Sequence, residues 1–295
     1  MAKKIKYRLE AMALRIPLAL FRLLGLDRAS AFGGWLARTI GPKLGVSRRA
    51  KRNIAFAMPE LAEDEIDRIV TDMWDNLGRT MAEYAHLEKF TQPEHAHRLD
   101  IVGGEIVQAL QGEGKGAMFV SGHFGNWEVM PMAVRLLGFE GGEVYRHANN
   151  PAVNEWIIGL RQEHVMPVQI PKGAKGARDI IKLLRQGKSI SMLVDQKMND
   201  GIEATFFGKP AMTTSAPASL AVRYGAAISP ACIERTHGAN FRMTFYPALE
   251  INREAEPFDE VARVTQVLND FVEERIRARP HEWLWPHNRW PKEDC

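Results

Sequence analysis

From about Leu99 onward the chain alternates short apolar runs with amphipathic helical patterns, and this alternation limits the fold more than any other feature. The strand candidates are residues 117–121, 142–145, 167–170, 189–194, 227–233 and 241–246. Between and around them, residues 126–137, 154–164, 175–186 and 213–224 carry helical spacing, and a last helix over 258–277 sets Val261, Val264, Leu268, Phe271 and Val272 on one face. Strands that take turns with helices of this length predict an α/β fold, a central sheet flanked by helices.

The first third has a different texture. Helical patterns cover 29–40, with Phe32, Trp35, Leu36 and Ile40 on one side, then 48–57 and 63–87. At the start, Arg8, Arg15 and Arg22 fall seven apart and form one stripe beside an apolar face of Leu9, Ile16, Leu20 and Leu23. Pro17 is expected to kink or restart that helix. The pattern suits a helix in a membrane interface with its arginines at the headgroups, and equally a helix packed on the protein's own core. The division expected is an N-terminal basic helical region over 1–90 and an α/β domain over 91–295, together one continuous unit. No repeat or flexible linker interrupts the 295 residues.

Charge follows the same division. Residues 1–52 hold thirteen Lys or Arg against Glu10 and Asp27, a net +11, and the remainder is −8. A basic arm with interleaved apolar residues on an acidic body predicts an anionic partner, a membrane surface, nucleic acid or an acidic protein, over a merely solvated segment. Arg15 and Arg22 break the opening apolar stretch well short of the ~18 residues a bilayer span needs, and it is also too short for a secretion signal core. Cys232 and Cys295 build no disulfide framework, and free thiols suit a reducing compartment.

Chemistry concentrates in the run from Gly116 to Val134. An apolar strand ends at Ser121, Gly122 and Gly125 mark a turn, and a helix is expected to start near Asn126, a good N-cap. His123 thus sits at the carboxyl end of a strand, where α/β folds collect ligands and catalytic groups. On one continuous helix, His123 and Glu128 would point ~500° apart. With His123 in the turn and Glu128 in the helix the two can meet. A carboxylate on one ring nitrogen fixes the tautomer and frees the other to take a proton from an alcohol, and N–H groups near Gly122 and Gly125 are available for an oxyanion. A His and a Glu beside a turn also serve structure alone, and the residues by themselves leave both readings open.

Gly122-His123-Phe124-Gly125-Asn126-Trp127-Glu128 resembles the H-x4-[D/E] motif of the lysophospholipid-acyltransferase superfamily. The chain is similar, more narrowly, to the bacterial lipid A biosynthesis acyltransferases, whose relatives include mycobacterial phosphatidylinositol mannoside acyltransferases. Further blocks follow the family's order: residues 48–53 with Met58-Pro59-Glu60; Val144-Tyr145-Arg146 with Asn150-Pro151; Asp195-Gln196 with residues 206–210; and the aromatic stretch 283–290. The resemblance implies a glycerolipid-acyltransferase-like fold with an N-terminal helical extension. It implies His123 as general base, Glu128 as its orienting carboxylate, and Arg146 near the active site, contacting acceptor phosphate or supporting the transition state. Gly122, Asn126, Tyr145, Asp195 and Gln196 complete the expected substrate-binding set. It further implies an acyl carrier protein thioester as donor, with acyl-CoA as the alternative, a phosphorylated glycolipid such as a Kdo-bearing lipid A precursor as acceptor, and no metal or other cofactor. For the basic arm it selects an anionic membrane surface and no nucleic acid, with a peripheral or monotopic place on the cytoplasmic face of a Gram-negative inner membrane. Another phospholipid or mannolipid acceptor, a hydrolase, and a non-catalytic lipid-binding protein are the rival readings.

Other motifs carry less. Residues 112–116 are glycine-rich but lack phosphate-loop spacing and precede a strand. His95 and His97 have no evident third ligand. No Gly-x-Ser-x-Gly elbow is present. Residues 171–178 place basic groups ahead of a helix, either a plain helix start or a phosphate seat. Trp283, Trp285 and Trp290 suit the core or a lipid interface.

Overall fold

The structure, a computed structural model, describes residues 2–291, with the side chains at 2–5, 8, 9 and 14 outside the description. Cys295 and the Arg8 and Leu9 side chains therefore lie beyond it.

Seven strands form the main sheet in the order β1-β9-β8-β2-β5-β3-β4. They are β1 (Leu99–Val102), β2 (Ala117–Ser121), β3 (Gly141–Tyr145), β4 (Val168–Pro171), β5 (Ser189–Leu193), β8 (Ala227–His237) and β9 (Asn240–Phe245), while β6 (Ile202–Phe206) and β7 (Lys209–Thr213) make a separate hairpin. Neighbours from β8 to β4 run parallel, β9 is antiparallel to β8, and β1 lies parallel to β9. All five residues of β2 are buried, as a central parallel strand covered on both faces requires. The covering helices are α5 (Gly104–Gly112), α6 (Val129–Leu136), α7 (Pro151–His164), α8 (Ala174–Arg185), α9 (Ala216–Tyr224) and α10 (Pro257–Ala278). The fold is α/β with a mostly parallel sheet between helices, as the alternation predicts. At α7 the Asn-Pro pair works locally: Asn150 Oδ1 accepts from the Ala152 and Val153 N–H groups, and Pro151 takes the first helical position.

Four helices precede the sheet: α1 (Ala2–Leu24), α2 (Leu26–Ile40), α3 (Gly45–Ala57) and α4 (Glu63–Glu83). One hydrophobic cluster runs from Leu26 in α2 to Trp290. Helices α2 and α4 touch through Gly33 and Gly78, where a Cβ on Gly33 would stand 2.5 Å from the Gly78 carbonyl oxygen. This small face turns inward, so the large side chains of α2 turn outward. Phe32, Trp35, Leu36 and Ile40 are all exposed, together with Met12, Ile16, Leu20 and Leu23 of α1.

Helix α1 continues through Pro17. Arg15 stacks over the Trp156 ring at 5.6 Å, and Arg22, its side chain still 62% exposed, donates to the Ala85 carbonyl at 2.8 Å and pairs with Glu88 at 3.1 Å. Both arginines are exposed, beside the outward apolar stripe of the same helix. Of the two places expected for Trp283, Trp285 and Trp290, the structure gives the core, where Phe206 and Phe207 of the hairpin close over them.

Candidate active site

The strand register assembles the site. Strands β2 and β5 pair with Ser121 opposite Leu193, and the Val194 N–H donates to the Ser121 carbonyl at 3.0 Å. Two residues farther along each strand, His123 and Asp195 face one another at the carboxyl edge of the sheet. Tyr145 and Arg146 leave the next strand, β3, at the same edge, and Lys172 follows β4.

The imidazole partner is Asp195. His123 Nδ1 lies 2.8 Å from Asp195 Oδ1, and the His123 main-chain N–H donates to Oδ2 at 3.0 Å. The Trp283 indole N–H donates to Oδ2 at 2.8 Å. Burial alone pushes the Asp195 carboxyl up, but the His123 charge and hydrogen bonds outweigh it and hold the group well below the ordinary carboxylate range. An ionised Asp195 makes Nδ1 the protonated nitrogen and leaves Nε2 a free lone pair, 3.5 Å from Gln196 Nε2. The His123 side chain keeps 17% of its surface open while that of Asp195 is sealed.

Glu128 does not touch the ring. Helix α6 begins at Val129, later than the expected 126, so Glu128 ends a tight turn and points into the interior. There Arg161 Nε donates to it at 2.8 Å, and Arg161 Nη2 and the Tyr84 hydroxyl close the group. A buried carboxylate needs such pairing, and Arg161 provides it where His123 was expected. Asn126 is likewise turned inward, donating to Glu83 Oε2 at 2.9 Å and accepting the Glu128 N–H at 3.2 Å, so it faces no substrate space. The expected oxyanion donors are largely occupied too. The N–H groups of His123, Phe124 and Gly125 bond to Asp195, the Gly122 carbonyl and the Glu282 carbonyl. Gly122 packs under the Phe124 ring, where a Cβ would stand 2.9 Å away.

Two cavities adjoin at this edge of the sheet, and His123 lines the polar one. A polar one of about 230 Å³ is lined by His123, Trp127, Glu143, Tyr145, Arg146, Arg161, Lys172 and Gln196. An apolar one of about 290 Å³ lies against Pro171, Ala177, Ile180, Met192, Val194 and Met198. They share Val144, Lys172, Leu193 and Gln196. Desolvation pulls the Lys172 ammonium below its ordinary range, the Asp195 charge opposing and Arg146 assisting. Outside the polar cavity, burial pushes His287 down to about 4, so this second imidazole, with its ring 6.4 Å from that of His123, stays neutral at physiological pH. Among the described residues no group of three His, Cys, Asp or Glu side chains could hold a metal ion.

The pattern the chain presents is shared widely. The model of the bacterial lipid A biosynthesis acyltransferases matches residues 4–292. The chain belongs to that family. Similar proteins include a phosphatidylinositol mannoside acyltransferase of Mycobacterium tuberculosis, 26% identical over 87% of this chain and 79% of its own length. The lipid A biosynthesis lauroyltransferase of Escherichia coli is 23% identical over 83% and 80%, and the palmitoleoyltransferase of the same organism 21% identical over 82% and 77%. Like them, this family member is an acyltransferase. The family resemblance named His123, Tyr145, Arg146, Asp195 and Gln196, which the structure brings to one edge, but sequence reasoning missed Asp195 as the ring's partner, and it missed Lys172, Arg161 and Glu143 in the cavity. The signal for Asp195 was its place just past an apolar strand; the strand order that sets it beside His123 is not written in the sequence.

Proposed function

We propose that this acyltransferase moves a fatty acyl chain from an acyl carrier protein thioester to a hydroxyl of a phosphorylated lipid A precursor, with His123 as general base and Asp195 as the carboxylate that orients it. The observation that carries the reading is the sealed Asp195 behind a partly exposed imidazole that lines a polar cavity, with an apolar cavity adjoining it across Val144, Lys172, Leu193 and Gln196. His123 Nε2 takes the proton of the acceptor hydroxyl. The oxygen attacks the thioester carbonyl, the tetrahedral intermediate collapses, the C–S bond breaks, and the imidazolium returns its proton to the leaving thiolate. The acyl oxygen binds no metal in this scheme. Arg146, Lys172 and Gln196 bring positive charge and N–H donors to the developing oxyanion and to phosphate groups of either substrate. The fatty chain enters the apolar cavity. Glu128 acts from below, neutralising Arg161 under the polar cavity.

The outward apolar face of α1 and α2 suits docking on a membrane surface, the cytoplasmic face of an inner membrane in this reading. Among the described residues no helix is long and apolar enough to cross a membrane. A second reading, transfer to a phosphatidylinositol mannoside, draws support from the mycobacterial relative, matched at 26% against 23% for the lauroyltransferase.

Purified protein with an acyl-carrier-protein thioester and each acceptor, followed by mass spectrometry of the lipid, tests both. A mass gain on the lipid A precursor is expected. Gain only on the mannoside selects the second reading, free fatty acid alone makes the protein a hydrolase, and no reaction leaves a lipid-binding protein. His123→Ala is expected to lower turnover at least ~10²-fold. Asp195→Asn sets an amide N–H₂ against N–H donors and is expected to cost ~10³-fold or more. Near-full activity in either variant removes that residue from its role.

A further inference from the structure

We propose that Trp283, far along the chain from His123, is a positioning residue of the reaction: its indole N–H fixes the Asp195 carboxylate in the orientation that holds the imidazole. The inference rests on the acyl-transfer reading above.

The carboxylate is set by three donors. Oδ1 meets His123 Nδ1 at 2.8 Å, and Oδ2 accepts from the His123 main-chain N–H at 3.0 Å and the Trp283 indole N–H at 2.8 Å. Rotation about the Cβ–Cγ bond of an aspartate is soft and roughly two-fold, so two donors from one residue leave the plane of the carboxylate poorly fixed. The indole adds a donor from a different direction. An indole has a single donor and no acceptor, so its contact with Asp195 is its whole polar chemistry here. Trp283 is buried against Trp285, His287 and Phe206 and lines neither cavity described above.

The segment that carries the indole also grips the turn that carries His123. Phe124 and Trp283 form an antiparallel β-bridge, and the Gly125 N–H donates to the Glu282 carbonyl at 3.2 Å. Gly125 takes φ +47° at this contact, and its own carbonyl accepts from Thr80 at 3.0 Å and Asn76 at 3.2 Å. Both halves of the pair are thus keyed to one short stretch, residues 282–283. Removing the indole N–H frees the carboxylate to turn and concentrates its negative charge on the imidazole, which becomes more basic.

Trp283→Phe keeps an aromatic ring and deletes the donor. A hydrogen bond to a buried charged group sets the expected loss at about 10- to 100-fold in kcat. KM for donor and acceptor should stay unchanged, and the acid limb of the kcat/KM profile should move to higher pH. Trp285→Phe is the control, because its indole donates to the Pro280 carbonyl at 2.7 Å in the same core and touches neither partner. It should lower thermal stability comparably while leaving kcat and the acid limb in place. Wild-type kcat and pH profile in Trp283→Phe, or equal losses in both variants, overturn the proposal. A measurement on the unaltered protein covers a variant that fails to fold: the Trp283 indole N–H resonance should move as His123 titrates while that of Trp285 stays still. A motionless Trp283 resonance also overturns it. If His123→Ala and Asp195→Asn are themselves active, the acyl-transfer reading falls; if they are dead and Trp283→Phe is not, only this inference falls.

Discussion

Glu143→Gln tests the electrostatics of the polar cavity through stability. Glu143 lies on β3, buried, and accepts from Gln169 Nε2 at 3.0 Å. Burial pushes its carboxyl from the ordinary 4.5 up to about 7, with Glu128 acting in the same direction and Arg161 and Gln169 opposing. Below pH 4.5 both folded and unfolded chains hold this proton, and the group adds no pH dependence. Between 4.5 and 7 the unfolded chain releases it while the folded chain keeps it. Folding therefore weakens by about 1.4 kcal/mol per pH unit, about 3 kcal/mol across the window, and the loss is complete above pH 7. Glutamine has the same shape, can still accept from Gln169, and does not ionise. Urea unfolding at steps from pH 4.5 to 8 should show the stability of the variant rising relative to the parent by about 3 kcal/mol and then levelling. A difference that stays flat over that range refutes the argument, because it would mean that Glu143 is ionised in the folded chain as readily as in the unfolded one.

Two more outcomes are accessible. Phe32 and Trp35 are 46% and 49% exposed, so a lipid surface covers about half of each ring, worth about 1 kcal/mol apiece; changing both to Ser should lower vesicle partitioning about 30-fold while thermal stability changes little, and unchanged sedimentation moves the docking face elsewhere. Ala177→Leu adds bulk to the wall of the apolar cavity and should shift turnover toward shorter acyl chains across a panel of thioesters; an unaltered chain-length profile means that the acyl group lies in another place.

The sheet was legible where strands are buried on both faces. Residues 117–121 and 189–193 read as strands because nothing polar and large interrupts them. The hairpin of β6 and β7 was missed because Glu203, Lys209 and Pro210 break its pattern, and its pairing depends on α10, where Gln266 bonds the Thr205 backbone in both directions. His123 was found from local chemistry, a strand end and two glycines. Its partner was not, since proximity of residues 123 and 195 comes from strand order, a long-range choice made by packing. Glu128 was near in sequence and wrong in space: a turn that ends two or three residues later than expected rotates the side chain from the cleft into the interior. The outward face of α2 was visible as a stripe of large apolar residues, but its direction was decided by Gly33 and Gly78, which let two backbones approach where larger residues cannot.

The stapling of the His123 turn by residues 282–283 has a consequence for how the protein comes into being. A ribosome threading this chain delivers the base and its carboxylate long before it delivers the indole. A nascent chain with the sheet already folded would still hold a slack dyad, and acyl transfer would begin in earnest only once residues 282–290 have cleared the exit tunnel and settled into the core.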